Sequence, residues 1–144
     1  MANLCWLDKI ATKNYLLLRD RFAICHFVET GTAEGNSAIF YSKHFEEVWT
    51  CEVDLELCKK ADKRAGEIQN ISITNVSSPE FLRLFCKVYR DKPSNETILF
   101  FLDAHTPGNW PILDELKALE GFLNCCIVIH DFKVPGLGYL SYDG

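Results

Sequence analysis

The stretch Glu29-Thr30-Gly31-Thr32-Ala33-Glu34-Gly35-Asn36-Ser37 follows an apolar run, Ile24 to Val28, and leads into a helical pattern that opens at Ser37. A strand that ends on an acid, turns through two glycines and enters a helix makes a small-molecule cradle. Gly31 allows a tight turn, and Gly35 lets the backbone approach a ligand closely. The unpaired N–H groups of the following helix then face that ligand and favour an anionic group. The spacing is G-x-x-x-G-x-S. It is neither the G-x-G-x-x-G of dinucleotide binders nor a P-loop, because no Gly-Lys-Ser/Thr follows.

Working outward, Leu4, Leu7, Ala11, Tyr15 and Leu18 recur at helical spacing, which predicts an amphipathic helix over 3–20. Strands are expected at 24–30, 48–53, 71–76, 98–102 and 126–129, with helices at 37–45, 55–68, from Ser78 to about Arg90, and from Trp110-Pro111 to near Gly121. Asp54 is a plausible N-cap for the second of these helices. Pro79 suits the first turn of the third. Residues 91–96 read as a polar loop and 132–144 as a loop-like tail. Strands alternating with helices predict a doubly wound parallel sheet with helices on both faces. The two continuous apolar strands, 98–102 and 126–129, fit central or doubly covered positions.

A chain of 144 residues, 48% hydrophobic and 24% charged, fits a single soluble domain. A net charge of −5 without basic tracts argues against a nucleic-acid partner. No apolar stretch is long enough to span a bilayer, and Asp8 and Lys9 break any signal-peptide pattern. The seven cysteines lack CxxC spacing. Cys25, Cys51, Cys125 and Cys126 read as reduced core residues, which predicts a reducing compartment, the cytoplasm.

In doubly wound sheets ligands bind beyond the carboxyl ends of the strands. Glu29, Glu52, Asp103, His130 and Asp131 all fall there. Glu52 lies 21 residues after Gly31, where an acid can accept hydrogen bonds from ribose hydroxyls.

The runs FVETGTAEGNSAIF, VWTCEVD, ILFFLDAH and CCIVIHDF together resemble the class I S-adenosylmethionine-dependent methyltransferases, and within them the small-molecule O-methyltransferases. The resemblance covers about residues 24–132. It implies a Rossmann-like, five-stranded, mainly parallel sheet in the order 3-2-1-4-5, without the last two strands usual in the family. The whole of 1–144 is then one cofactor-binding domain, with residues 133–144 as its tail. Carried over by position, it implies that Glu29, Gly31, Thr32, Ala33, Gly35, Asn36 and Ser37 surround the methionine end of the cofactor, with Ser37 on its carboxylate. It places Glu52 on the ribose with Val53 beside it, Ser77 and Ser78 near the adenine, and Asp103 between the cofactor and the acceptor.

The same resemblance implies acceptor chemistry at Asp103, His105 and Asp131. His105 is a candidate general base, since imidazole exchanges protons near neutral pH. In the metal-dependent branch, acids after the fourth and fifth strands bind Mg²⁺. Here Asp103 and Asp131 stand there, Phe132 replaces an amide ligand, and His130 is an alternative donor that would suit Mg²⁺ or Mn²⁺. The expected activity is O-methylation of a small hydroxylated acceptor. Two other classes stay open: a non-catalytic cofactor-binding module, and a nicotinamide-dependent dehydrogenase, whose glycine spacing is absent. An exposed flank of strand 126–129 would pair with a second copy of the chain or be covered by the 3–20 helix.

Overall fold

The computed structural model describes residues 9–90, 96–105 and 108–130. Its elements are α1 (Lys9–Phe22), β1 (His26–Thr30), α2 (Asn36–Tyr41), β2 (Glu47–Glu52), α3 (Leu55–Ala65), β3 (Ile71–Asn75), α4 (Ser78–Arg90), β4 (Ile98–Leu102), α5 (Ile112–Ala118) and β5 (Cys125–Ile129). The strands form one sheet in the order β3-β2-β1-β4-β5, and every pairing is parallel. This is the predicted doubly wound α/β architecture, and it puts the cradle strand at the centre.

Alternation along the strands builds two cores. Val28, Cys51, Phe100 and Leu102 face α4 with Phe81, Leu82 and Phe85. Phe27, Val48, Leu99 and Phe101 face the other way, with Tyr15 of α1 and Ala38 and Tyr41 of α2. β1 and β4 are buried at every position, as expected for central parallel strands.

Several boundaries move for local reasons. α1 ends at Phe22, where Ala23 turns left-handed (φ 49) and Ile24 N–H returns to Arg19 O at 3.0 Å. α2 stops at Tyr41 rather than 45. The Asn70 amide there donates to the carbonyls of Ser42 (2.8 Å) and Phe45 (3.1 Å), which satisfies the turn that feeds β2. α3 stops at Ala65 because Gly66 leaves the helix at φ 57. Its cap is the predicted one, with Asp54 Oδ1 accepting from Glu56 N (2.8 Å) and Leu57 N (3.0 Å).

Two expectations are corrected. β5 is an edge strand and only half covered, with Ile127 41% exposed. The edge position agrees with the expected order 3-2-1-4-5, but the continuous apolar run did not mark a doubly covered strand here. Cys51 is buried, but Cys25, Cys125 and Cys126 are only partly so, and all six described cysteines are free thiols. Among the described residues no helix is long and apolar enough to cross a membrane. The helix start at 3–8, the 91–95 loop, Asp131, Phe132 and the tail to 144 lie outside the described residues.

Candidate functional site

The loop after β1 is held mostly by its own neighbours. The amides of Gly31 and Thr32 both donate to Cys51 O at 3.0 Å, tying the loop to β2. Gly31 has φ +86, and a methyl group on it would lie 2.9 Å from Asp103 O. Gly35 has φ +79, and there the methyl would lie 3.2 Å from Ala61 Cβ. The close approach that Gly35 permits is thus to α3, a packing reason that spacing alone did not reveal.

Glu29 is sealed below this loop. Thr50 Oγ1 donates to its Oε2 at 3.0 Å, and the Thr32 and Thr50 hydroxyls are 2.6 Å apart. The Ser37 hydroxyl bonds the same carboxyl, yet burial outweighs these bonds and pushes its pKa up to about 8. Glu29 is therefore largely protonated at neutral pH. It supports the loop from beneath and does not line the cleft above it.

Glu52 bridges two turns. Its Oε2 accepts from Ala33 N at 2.8 Å and its Oε1 from Asp54 N at 3.0 Å. One lone pair on each oxygen remains for a hydroxyl from outside. Val53, beside it, is exposed, and Ser77 and Ser78 begin α4 further along the rim. On the outer side of the loop, Arg64 donates to Glu34 O (2.9 Å), Glu34 Oε2 (3.1 Å) and Asn36 Oδ1 (2.6 Å). Lys60 pairs with the same Glu34 carboxyl and holds its pKa below the usual range.

Across the cleft stands Asp103. Its N–H and that of Ala104 reach Thr30 Oγ1 at 3.1 and 3.3 Å. His130 Nδ1 lies 3.0 Å from Asp103 Oδ1, and His105 Nδ1 lies 3.8 Å from it. Oδ1 is nevertheless sealed from solvent with no hydrogen bond of ordinary geometry among the described residues.

A cleft of about 300 Å³ joins the two sides. Its walls are residues 31–34, 36 and 37 of the loop, with Asp103 and His130 opposite and Thr12, Tyr15 and Phe101 at the back. The structure thus brings together seven predicted site residues: Gly31, Thr32, Ala33, Asn36, Ser37, Asp103 and His130. Glu29, Gly35, Glu52, Val53, Ser77, Ser78 and His105 are not on its walls. His105 is stacked on Trp110 instead, with ring centroids 4.7 Å apart and planes 3° apart. Thr12 and Tyr15 were missed as site residues, because helical spacing marked Tyr15 only as core. A larger groove of about 460 Å³ runs along α1 against Phe40 and touches none of the strand-end acids.

Among the described residues no three His, Cys, Asp or Glu side chains converge as a metal-binding group, and Asp131 lies outside them. α2 has only six residues, and the amides of Gly31, Thr32, Ala33 and Gly35 are bonded within the protein, so the anion argument rests on Ser37 more than on a helix dipole.

No family model and no curated protein matches the sequence. Solved structures do match the fold. One is a Staphylococcus aureus protein assigned as a caffeoyl-CoA O-methyltransferase, 15% identical, with a TM-score of 0.64 over 87% of this chain and 58% of that one. Another is the O-methyltransferase TomG of Streptomyces achromogenes, solved with S-adenosylmethionine, 20% identical, with a TM-score of 0.55 over 78% and 52%. An rRNA methylase of Streptococcus thermophilus is 14% identical, with a TM-score of 0.52 over 86% and 71%. The chain spans a little over half the length of the first two. It has the Rossmann-like fold of the class I methyltransferases.

Proposed function

We propose that this chain, starting from that fold, binds S-adenosylmethionine in the β1–β4 cleft and transfers its methyl group to a hydroxyl of a small molecule. One observation carries the reading. The cleft brings the 31–37 loop together with Asp103 and His130, whose Nδ1 lies 3.0 Å from Asp103 Oδ1. The neighbours alone do not choose the acceptor, since the matching structures include both small-molecule and rRNA enzymes. The acidic balance of the chain favours the small molecule.

In this reading Ser37, at the start of α2, meets the cofactor carboxylate. The remaining lone pairs of Glu52 receive the ribose hydroxyls, and Asp103 Oδ1 accepts from the cofactor ammonium. When bound, the sulfonium supplies an electrophilic methyl carbon. The chain's task is then to align an acceptor oxygen with it and take the acceptor's proton. His130 lines the cleft at 3.0 Å from Asp103, with its ring edge-on to Phe101 (centroids 5.9 Å), so it is better placed than His105 for that proton. A divalent metal at Asp103, His130 and Asp131 has no three-donor group among the described residues, which do not include Asp131.

Calorimetry with S-adenosylhomocysteine and NAD tests the binding half. Saturable binding of the first, with thermal stabilisation of about 2–3 kcal/mol at a hundredfold excess over Kd, is expected. Failure to bind it, or tighter binding of NAD, removes the reading.

A further inference from the structure

Helix α3 grips the outer side of the cleft loop at three consecutive residues. Ala61 is wholly buried against Gly35, where an added methyl would lie 3.2 Å from its Cβ. Arg64 lies three residues further on, on the same face of α3. It spreads over the two neighbours of Gly35. Its Nη1 donates to the Glu34 carbonyl at 2.9 Å and to Glu34 Oε2 at 3.1 Å. Its Nη2 donates to Asn36 Oδ1 at 2.6 Å. Lys60 meets the same Glu34 carboxyl, but among the described residues it bonds neither that carbonyl nor Asn36. The start of α3 is tied to the same loop: Glu52 accepts from Ala33 N at 2.8 Å and from Asp54 N, of the capping residue, at 3.0 Å. Residues 33–36 are thus held from both ends of one helix.

The chemistry of Arg64 decides how the Asn36 amide stands. A guanidinium donates and cannot accept, so the amide oxygen must be the atom that faces it. That leaves Nδ2, with two N–H donors, for other partners. Asn36 lines the cleft, and its Nδ2 makes no hydrogen bond among the described residues. Exposed ion pairs add little to stability. The three bonds from this guanidinium therefore serve the direction of Asn36 more than the strength of the fold.

We propose that Arg64 is a positioning residue: it orients the Asn36 amide so that Nδ2 donates, beside Ser37, to the carboxylate end of the bound cofactor. The orientation of the amide stands on its own hydrogen bonds, and its role toward a ligand rests on the cofactor reading above.

The test compares Asn36→Asp, Arg64→Met and Lys60→Met in the full chain. Two ligands are titrated by calorimetry: S-adenosylhomocysteine, and methylthioadenosine, which has the same nucleoside and sulfur without the carboxylate. Asn36→Asp keeps an acceptor for Arg64 and removes the donor. It should weaken S-adenosylhomocysteine about tenfold, the loss of one charge-assisted hydrogen bond, and leave methylthioadenosine within about twofold. Arg64→Met should act in the same direction on the first ligand and spare the second. Lys60→Met removes a positive charge from the same corner and should change neither. Without ligand, the ¹⁵N NOE of the Asn36 side-chain amide reports its order. It should be high in the unmodified chain and in Lys60→Met, and fall in Arg64→Met. The proposal is overturned if Asn36→Asp binds S-adenosylhomocysteine as the unmodified chain does, if it weakens both ligands alike, or if Arg64→Met leaves the amide NOE unchanged. If the NOE responds as expected but the unmodified chain binds neither ligand, the orienting role of Arg64 stands and the cofactor reading falls.

Discussion

The β1–β2 side of the sheet and the β4–β5 side are held together differently. On the first, most polar groups near the cleft already have protein partners. Cys51 O takes two amides, Glu52 takes one on each oxygen, and Glu29 takes two hydroxyls. On the second, Asp103 Oδ1 is sealed beside His130 Nδ1 at 3.0 Å, and the last strand is half exposed. The first side is a finished cradle. The second presents Asp103 and His130 to the same cleft as a pair. Gly31 is where the two sides press together.

Gly31→Ala should break this comparison most severely. Its methyl would meet Asp103 O at 2.9 Å in a left-handed backbone, so a loss of about 3 kcal/mol is expected by urea unfolding. Gly121→Ala is the control. It has φ +73 with nothing within 4 Å, so it should cost only about 1 kcal/mol. Equal costs would mean that the two sides do not depend on close approach at Gly31.

Glu29→Gln probes the cradle alone. The carboxyl titrates near 8 when folded against an ordinary 4.5, so the unfolded chain releases its proton first. Stability should therefore fall as pH rises from about 4.5 to about 8, and Gln removes that slope. The two proteins should be nearly equal at pH 4, with the variant ahead by on the order of 3 kcal/mol at pH 7. Parallel slopes in a denaturation series across pH would show that Glu29 is ionised in the folded cradle.

The smallest effect is expected at the far edge. Ile127→Thr should cost about 0.5 kcal/mol or less by the same unfolding measurement, because Ile127 on β5 is already 41% exposed. A loss above about 1 kcal/mol would mean that this edge is covered in solution.

Much of this frame was legible in the residues themselves. The acids and the histidine at the strand ends, the Asp54 cap and the alternation of strands with helices follow from local chemistry, while the sheet order came from the family resemblance. Glu115 was not legible. In Ile-Leu-Asp-Glu-Leu-Lys-Ala the acid shares the buried side with Ile112 and Ala118 while Leu113 and Leu116 are exposed, and no spacing rule selects an acid for that side. β5 misled for a related reason. An apolar run shows what a strand tolerates, not how many neighbours it has. The role of Gly35 also depended on Ala61, which belongs to another helix.

Cys51 carries a last consequence. Its thiol is almost wholly enclosed on β2 and burial drives its pKa far up, while its carbonyl holds both loop amides. Only a thiolate reacts readily with alkylating reagents. The sulfur is therefore a built-in clock for the cradle, labelled only when β2 opens. The partly exposed Cys25, Cys125 and Cys126 set the pace of labelling from the folded surface. Slowing of the Cys51 clock alone by a small molecule would show which strand that molecule locks.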